Sequence, residues 1–159
     1  MVVDDYDDMI KKIKKRSACP ISFSLDFLGD KWTLLIIRDI LLNNKNTFGE
    51  FIQSAEGIAT NVLTDRLKML ENEGFIMKYP VPGKPRVAYC LTERGVGLIP
   101  IIMEMALWGV SENNTEIKKE LTAALKNDKA GVISALATKH LEIYGQRKES
   151  RIEPDLPSA

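Results

Sequence analysis

The sequence predicts a mainly helical fold with one small β-hairpin, an α+β class, and two adjacent features carry that prediction. The stretch IATNVLTDRLKMLENEG, residues 58–74, repeats its leucines at helical spacing. Two short segments of strand-like composition follow it, on either side of VPGKPR, a turn rich in proline, glycine and basic residues. With 45% apolar residues, the 159-residue chain can bury the core of one main domain and still carry an extension.

The helices ahead of this stretch are predicted from capping residues and apolar spacing. Residues 21–28 form a short helix that Gly29 ends, and Asp30 is suited to cap a second helix over residues 31–42. The second helix is apolar on two sides, one formed by Trp32, Leu35, Ile36 and Ile40 and the other by Leu34, Ile37 and Leu41. Such a helix belongs at the centre of a core, so we expect it to support the elements that follow.

A short helix, a tight turn and a longer helix come next, in the order typical of a helix-turn-helix. Residues 47–52 predict the short helix, with Phe48, Phe51 and Ile52 facing inward, and Gly57 lies in the expected turn. The longer helix, residues 60–73, buries a stripe formed by Leu63, Leu67 and Leu70, with Val62 beside it. We expect Thr60 to cap this helix, because the alanine before it has no capping oxygen.

The opposite face of the longer helix is polar and consists of Thr60, Asn61, Thr64, Asp65 and Lys68. In a major groove, asparagine can recognise adenine, aspartate can accept a hydrogen bond from cytosine, and a threonine methyl can contact thymine. An ordinary solvated helix face has the same composition. This helix alone therefore does not decide between the two interpretations.

The segment after Gly74 favours the first interpretation. Residues 75–79 and 87–91 predict two strands, and the prolines and glycine between them keep Lys84 and Arg86 at an extended tip. In the returning strand, three larger side chains alternate with Ala88 and Cys90, which predicts one buried face. A basic hairpin beside a polar helix face indicates a winged helix-turn-helix that contacts double-stranded DNA with both elements.

The formal net charge is zero, but the charges are unevenly placed. Aspartates at positions 4, 5, 7 and 8 precede a basic run over residues 11–16, which we interpret as a solvated arm. The stretch between residues 76 and 95 is locally basic, because it contains one carboxylate, Glu93, and four cations: Lys78, Lys84, Arg86 and Arg94. Because the local field governs contact with phosphate, zero net charge does not argue against DNA binding.

The remainder of the chain predicts further helices. Thr92 is suited to cap a long helix that Pro100 bends, and its large apolar face implies a partner surface. A helical hairpin is expected next, with one helix over residues 115–127 and another after Gly131. The predicted division is a charged arm (1–18), a DNA-binding and dimerisation domain (19–110), the hairpin extension (111–145) and a disordered tail (146–159).

Several classes of function lack support in the sequence. The single histidine, His140, has no cysteine or carboxylate at ligand spacing and is expected on a helix surface. No glycine-rich phosphate loop follows a strand, and no serine lies in a nucleophile elbow, so we expect no cofactor, metal or enzyme activity. No secretory signal or membrane span is expected either, which predicts a cytoplasmic protein whose two cysteines stay reduced.

An ordered set of residues resembles the HxlR-type winged helix-turn-helix transcriptional regulators. It comprises Cys19-Pro20, Leu25 to Leu28, Gly29-Asp30-Lys31-Trp32, Phe48, Phe51, Gly57-Ile58, Leu63-Thr64-Asp65-Arg66-Leu67, Leu70-Glu71, Gly74, Pro85-Arg86-Val87, Tyr89, Leu91-Thr92, Gly95, Pro100 and Trp108-Gly109. The resemblance implies a homodimeric, sequence-specific regulator of prokaryotic transcription, with a dimer formed by the N-terminal helix and the helix over residues 92–108. The family commonly carries arginine where Thr47 stands and serine where Ala59 stands, which weakens the assignment of Thr60 to base contact.

Cys19 is a candidate redox sensor. It lies directly before Pro20 at a predicted helix start and after two cations, a setting that favours the thiolate. Some members of the resembled family use a cysteine at this position to sense oxidants or electrophiles, so an oxidant or a small molecule is a candidate effector. The alternative is a small buried residue at the dimer interface.

A second class of function uses the same fold. A winged-helix module that docks a protein partner would never touch DNA. It would carry large exposed apolar residues on the longer helix (residues 60–73, the recognition helix) and on the β-hairpin (residues 75–91, the wing). The residues there are instead of the kind that DNA requires, with amide and hydroxyl groups on the helix and cations at the wing tip.

Overall fold

The computed structural model describes residues 17–113 and 119–152. Within these ranges the elements are α1 Pro20–Leu28, α2 Lys31–Asn43, α3 Phe48–Ile52, α4 Thr60–Asn72, β1 Ile76–Pro80, β2 Val87–Leu91, α5 Glu93–Val96, α6 Ile99–Asn113 and α7 Lys119–Ile152. The two strands form one antiparallel hairpin. The predicted class, a mainly helical winged helix-turn-helix with a C-terminal helical extension, is confirmed.

The capping predictions for the first two helices are confirmed. Pro20 occupies the first turn of α1, and the Gly29 N–H donates to the Leu25 carbonyl at 2.9 Å where the helix ends. The Asp30 carboxylate accepts from the backbone N–H groups of Trp32 at 3.0 Å and Thr33 at 3.2 Å, so it caps α2. Helix α2 ends at Asn44, which adopts the left-handed conformation with φ 52°.

One apolar core joins α2 to the elements around it. From α2 it takes Ile36, Ile37, Ile40 and Leu41, and from α4 it takes Leu63, Leu67 and Leu70, all buried. Phe27, Phe51, Phe75 and Leu91 close the core from α1, α3 and the hairpin. Because α2 lies against both α4 and β2, it fixes the recognition helix and the wing relative to each other.

Two local expectations about the helix-turn-helix are wrong. Phe48 is 37% exposed instead of facing inward, because α3 turns only Phe51 fully into the core. Thr60 is the first residue of α4 and not its cap: Ala59 holds the extended cap conformation, with φ −71° and ψ 145°, and supplies no side-chain hydrogen bond. The Thr60 hydroxyl therefore does not cap α4.

The stretch after the hairpin is two helices instead of one bent helix. The Thr92 hydroxyl accepts from the Gly95 N–H at 3.2 Å and caps only α5, a single turn. Pro100 follows in the first turn of α6, where a missing N–H costs no hydrogen bond, so it helps to start a helix and does not bend one.

By length and composition alone, Glu93–Glu112 is apolar enough to cross a membrane, contrary to the expectation from the sequence. The structure accounts for its apolar character differently. Val96, Ile99, Ile102 and Met103 from this stretch are buried in the domain core, and the break between α5 and α6 interrupts it.

Helix α7 can be compared with the predicted hairpin extension at three points. Its described part begins at Lys119, so the expected start near residue 115 lies outside the described residues. A break in helical geometry occurs at Asp128 (φ −145°, ψ 76°), whose carboxylate accepts from the Gly131 N–H at 2.9 Å and caps the second segment. The tail expected from Gln146 is wrong at its start, because α7 continues as a helix to Ile152.

His140 is buried, with 3% exposure, and not on the helix surface as expected. Its Nε2 atom lies 3.3 Å from the Leu41 carbonyl oxygen at the end of α2, because α7 packs back across that helix end. Burial lowers the pKa of His140, which keeps the ring neutral near pH 7.

The hairpin has buried residues on both faces, whereas alternation in β2 predicted one buried face. Ile76, Tyr89 and Leu91 face the domain core. The opposite face, formed by Met77, Tyr79, Ala88 and Cys90, is covered by Ile143 and Tyr144 of α7. The cross-strand pairs Met77 with Cys90 and Tyr79 with Ala88 place all four on that second face.

Candidate nucleic-acid interface

Helix α4 presents the predicted polar face outward. Thr60, Asn61, Asp65 and Lys68 are exposed and Thr64 is half-buried, because the leucines on the other side are buried in the core. The Thr64 hydroxyl donates to the Thr60 carbonyl at 2.8 Å within the helix. This bond occupies the hydroxyl hydrogen and leaves the methyl group as the part of Thr64 that suits contact with a base.

The wing tip is an ordered turn. The Val81 N–H donates to the Arg86 carbonyl and the Lys84 N–H to the Val81 carbonyl, both at 3.1 Å. Gly83 has φ +70°, the left-handed region in which a side chain is strained. Lys84 and Arg86 are both exposed on this turn, as predicted.

A capping box fixes α3 and links it to the wing. The Glu50 carboxylate accepts from the backbone N–H groups of Asn46 and Thr47, both at 2.9 Å, and from the Thr47 hydroxyl at 2.8 Å. The Asn46 N–H holds the pKa of Glu50 below its ordinary value against burial, and the positive charge of Arg86 acts in the same direction as Asn46. The Tyr89 N–H also donates to the Asn46 carbonyl at 2.8 Å, so β2 is joined directly to the loop before α3.

A buried carboxylate, Asp39, organises the turn between α3 and α4. It is 2% exposed and accepts from Arg38 (2.7 and 3.0 Å), from the Asn43 amide (2.8 Å) and from the Ser54 hydroxyl. The Lys45 ammonium lies 3.6 Å from the same carboxylate and donates to Ser54 at 2.7 Å. The network therefore connects the end of α2 to the turn that leads into the recognition helix.

Arg38 extends this network to Glu56. Its guanidinium donates to both oxygens of the Glu56 carboxylate, at 2.6 and 3.1 Å, and this pairing lowers the pKa of Glu56 to about 2. Sequence reasoning missed the Asp39 network. The available signal was an aspartate at helical spacing from Ile36 and next to Ile40, since a carboxylate on an apolar face must be paired.

A second tie joins α4 to the start of α2. The same Asp30 carboxylate that caps α2 accepts from the Thr33 hydroxyl at 2.7 Å and from the Arg66 guanidinium at 3.2 Å. Arg66, which lies among the polar residues of α4 in the sequence, is therefore half-buried and structural. The cation that α4 leaves on its exposed face is Lys68.

The two cysteines have opposite environments, and both are free thiols. Cys19 is exposed at the start of α1, and its backbone N–H donates to the Ser17 hydroxyl at 3.2 Å. Cys90 lies between the hairpin and α7, where burial raises the pKa of the thiol to about 11. In the single protomer, Cys19 is therefore accessible and Cys90 is not.

Helices α1 and α6 carry large apolar side chains on their outer surfaces. Ile21 and Leu25 of α1 are 70% and 53% exposed, and Trp108 of α6 is 69% exposed. Ile101 and Met105 extend the α6 surface opposite the buried Ile102 and Met103. Isolated exposed apolar residues are common, but these come from the two helices expected to form a dimer.

Among the residues that the structure describes, no group of three or more histidine, cysteine, aspartate or glutamate side chains is placed to hold a metal ion.

Residues 27–117 match the family described as HxlR-like helix-turn-helix. The HTH-type transcriptional regulator YybR of Bacillus subtilis (strain 168) is 34% identical over 102 residues, which are 62% of this chain and 79% of YybR. Among solved structures, the redox regulator HypR in its oxidized form is 34% identical with a TM-score of 0.55, covering 61% of this chain and 100% of HypR. The reduced form of the transcriptional regulator YodB from B. subtilis is 30% identical with a TM-score of 0.50, covering 63% of this chain and 100% of YodB.

Proposed function

The chain belongs to the HxlR-like helix-turn-helix family, and from that premise we propose that it is a homodimeric, sequence-specific DNA-binding regulator of prokaryotic transcription that acts in the cytoplasm. The main support for the proposal is that two surfaces suited to DNA are both exposed. The polar face of α4 and the basic wing tip are exposed together on elements that one core and two ionic networks hold in fixed relation.

The two surfaces take different roles on an operator. Asn61, Thr64 and Asp65 have short side chains on the first turns of α4, where a docked helix reaches base edges in the major groove. Lys68, Lys84 and Arg86 have long cationic side chains suited to phosphate or, at the wing, the minor groove. Thr60 stands at the helix start with its hydroxyl uncommitted to capping, which strengthens it as a contact to DNA.

Two copies of the chain would meet through the exposed apolar residues of α1 and α6. A dimer would remove Ile21, Leu25 and Trp108 from water and place two recognition helices on one DNA face. Sedimentation of the full chain at micromolar concentration should give the mass of a dimer, and a monomer at that concentration would contradict this part of the proposal.

The central experiment selects preferred duplexes from a random library and then measures the affinity of variants for the selected and for random DNA. Asn61→Ala should cost about 1–3 kcal/mol on the selected duplex and much less on random DNA, because it removes one base contact. Asn72→Ala, the same substitution on the exposed last turn of α4, is the matched control.

Lys84→Ala should weaken binding to both duplexes and flatten the dependence of log Kd on log salt by about one unit. If Asn61→Ala instead weakens both duplexes equally while Lys84→Ala alters sequence preference, the two roles are reversed. If no duplex is selected at all, the module that docks proteins becomes the better hypothesis.

The exposure of Cys19 supports an oxidant as the effector. Cys19 is exposed at a helix start, and HypR, a relative of known structure, is described as a redox regulator. Cys19→Ser should bind the selected duplex as the parent does but lose the response of that binding to diamide, whereas Cys90→Ala should keep the response. A response that survives in Cys19→Ser excludes Cys19 as the sensor.

A further inference from the structure

Helix α7 lies entirely beyond the part of the chain that the family match covers. That match ends at residue 117, while α7 runs from Lys119 to Ile152. HypR is matched over its whole length and yet accounts for only 61% of this chain. The contacts that α7 makes are therefore additions to the shared winged fold, and they raise the question of what the addition does.

Helix α7 holds the domain at two places. At the first, the Lys139 ammonium donates to the Asn44 side-chain oxygen at 3.1 Å and His140 lies against the Leu41 carbonyl, so α7 is attached to the end of α2. At the second, Ile143 and Tyr144 cover the outer face of the wing hairpin. The addition thus bridges the scaffold helix and the wing.

Between these two places the packing is incomplete. A cavity of about 70 Å³ lies between α7 and the hairpin, with His140, Tyr79 and Cys90 among its lining residues. This cavity is open to solvent, so it supplies no protein contacts to the side chains that line it. Ile143, Tyr144 and Arg147, which follow His140 along α7, therefore provide the contacts between this helix and β1.

Arg147 provides the outermost of those contacts. Its guanidinium carbon lies 4.9 Å from the centre of the Tyr79 ring, and its Nε atom is buried with no hydrogen-bond partner among the described residues. A guanidinium that is partly removed from water and left against an aromatic face gains more from that ring than an exposed one does. Tyr79 is followed in the chain by Pro80 and then by the turn that carries Lys84 and Arg86.

We propose that Arg147 is a positioning residue for DNA binding: through its cation–π contact with Tyr79 it holds the wing in the orientation in which Lys84 and Arg86 meet DNA. Arg147 acts through the wing and need not touch DNA itself. A hairpin held in place before binding loses less conformational freedom when it binds, and this raises affinity without a new contact. The proposal rests on the proposed function for its effect on DNA, but its effect on the free protein is independent of it.

The experiment compares Arg147→Ala with Lys129→Ala in the full chain. Lys129 also lies on α7, and its ammonium pairs with Glu104 of α6 at 2.5 Å, away from the wing. Hydrogen exchange of the free proteins should show faster exchange of amides in residues 76–91 for Arg147→Ala and unchanged exchange there for Lys129→Ala. Unchanged exchange of the hairpin in Arg147→Ala would overturn the proposal.

DNA affinity then tests the role of the wing. Arg147→Ala should bind the selected duplex about threefold to tenfold more weakly than the parent. In a chain that already carries Lys84→Ala and Arg86→Ala, the same substitution should have no further effect, because the residues that it positions are gone. An equal loss in both backgrounds would overturn the proposal, since it would indicate direct contact with DNA or general destabilisation.

The two proposals fail in different ways. The parent chain could bind no duplex while Arg147→Ala still speeds hydrogen exchange in the hairpin. That result would contradict the proposed function and would support the positioning of the wing by Arg147. Arg147→Lys adds a test of mechanism: it keeps the charge but not the planar stacking group, so it should fall between the parent and Arg147→Ala in hairpin exchange.

Discussion

The helix-turn-helix and the wing are the two parts of the proposed DNA interface, but they are held in place by different forces. The turn before α4 is held by a buried carboxylate and the cations and hydroxyl around it, with Asp39 at the centre. The wing is held between two apolar layers, the domain core on one face and α7 on the other. The turn that leads into the recognition helix therefore depends on an ionic network, whereas the wing depends mainly on apolar packing.

The largest effect should come from removing the centre of the network. Asp39→Ala leaves Arg38 and Lys45 without their buried partner and should lower the free energy of unfolding by about 3–5 kcal/mol, the usual result of breaking a buried ion pair. Chemical denaturation measures this. Asp65→Ala, on the exposed face of α4, should change it by less than about 0.5 kcal/mol. Equal losses in the two variants would mean that the network does not hold the turn.

A smaller loss should follow from opening the outer layer of the wing. Met77 is buried against α7, and Met77→Ala should lower the free energy of unfolding by about 2–3 kcal/mol through lost burial and an enlarged cavity. Its neighbour Lys78 is exposed on the same strand, so Lys78→Ala should change stability by less than about 0.5 kcal/mol. If Met77→Ala were as harmless as Lys78→Ala, α7 would not be a structural layer of the wing.

The smallest predicted effect is a pH-dependent loss of stability in the helix-turn-helix, where Arg38 pairs with Glu56. Arg38 lowers the pKa of Glu56 to about 2, so the stability from this pair is present above the ordinary glutamate pKa near 4.5 and is lost as pH falls toward 2. Because the Glu56 side chain is 35% exposed, solvent screening limits its contribution to about 0.5–1 kcal/mol. Glu56→Gln should be less stable than the parent by that amount at pH 6, and the difference should shrink between pH 5 and pH 2.

The exposed Glu142 of α7 is the control for this pH series. Because its side chain is exposed, Glu142→Gln should change the free energy of unfolding by less than about 0.5 kcal/mol. A constant difference between the parent and Glu56→Gln over the whole range would show that the Arg38 pairing does not depend on the charge of Glu56.

Much of the interface could be predicted because its signals are local. The spacing of Leu63, Leu67 and Leu70 oriented α4, and that orientation alone exposed the polar face opposite them. The cap at Asp30 and the bounds of β2 follow from neighbouring residues and were also predicted, whereas β1 begins and ends one residue later than expected. The roles of Asn61 and Lys84 on DNA stay predictions.

Other features depended on partners that are distant in the chain. The Asp39 network was not predicted, because Ser54, whose hydroxyl donates to Asp39, belongs to the next turn of the fold. His140 was expected on a surface, and only the packing of α7 against Leu41 buries it. The cap at Thr60 was wrong because the extended backbone of Ala59 was not evident from residue types.

By itself the sequence determined the order of the helix-turn-helix and the wing, the buried leucine stripe of α4 and the polar face opposite it, because periodicity and capping act within a few residues. Only the tertiary structure decided what covers the second face of the wing. Alternation in β2 indicates that two faces exist, but not that Ile143, Tyr144 and Arg147 reach one of them from the far end of the chain. That coverage depends on the path of α7 across α2, which long-range packing sets and no local pattern encodes.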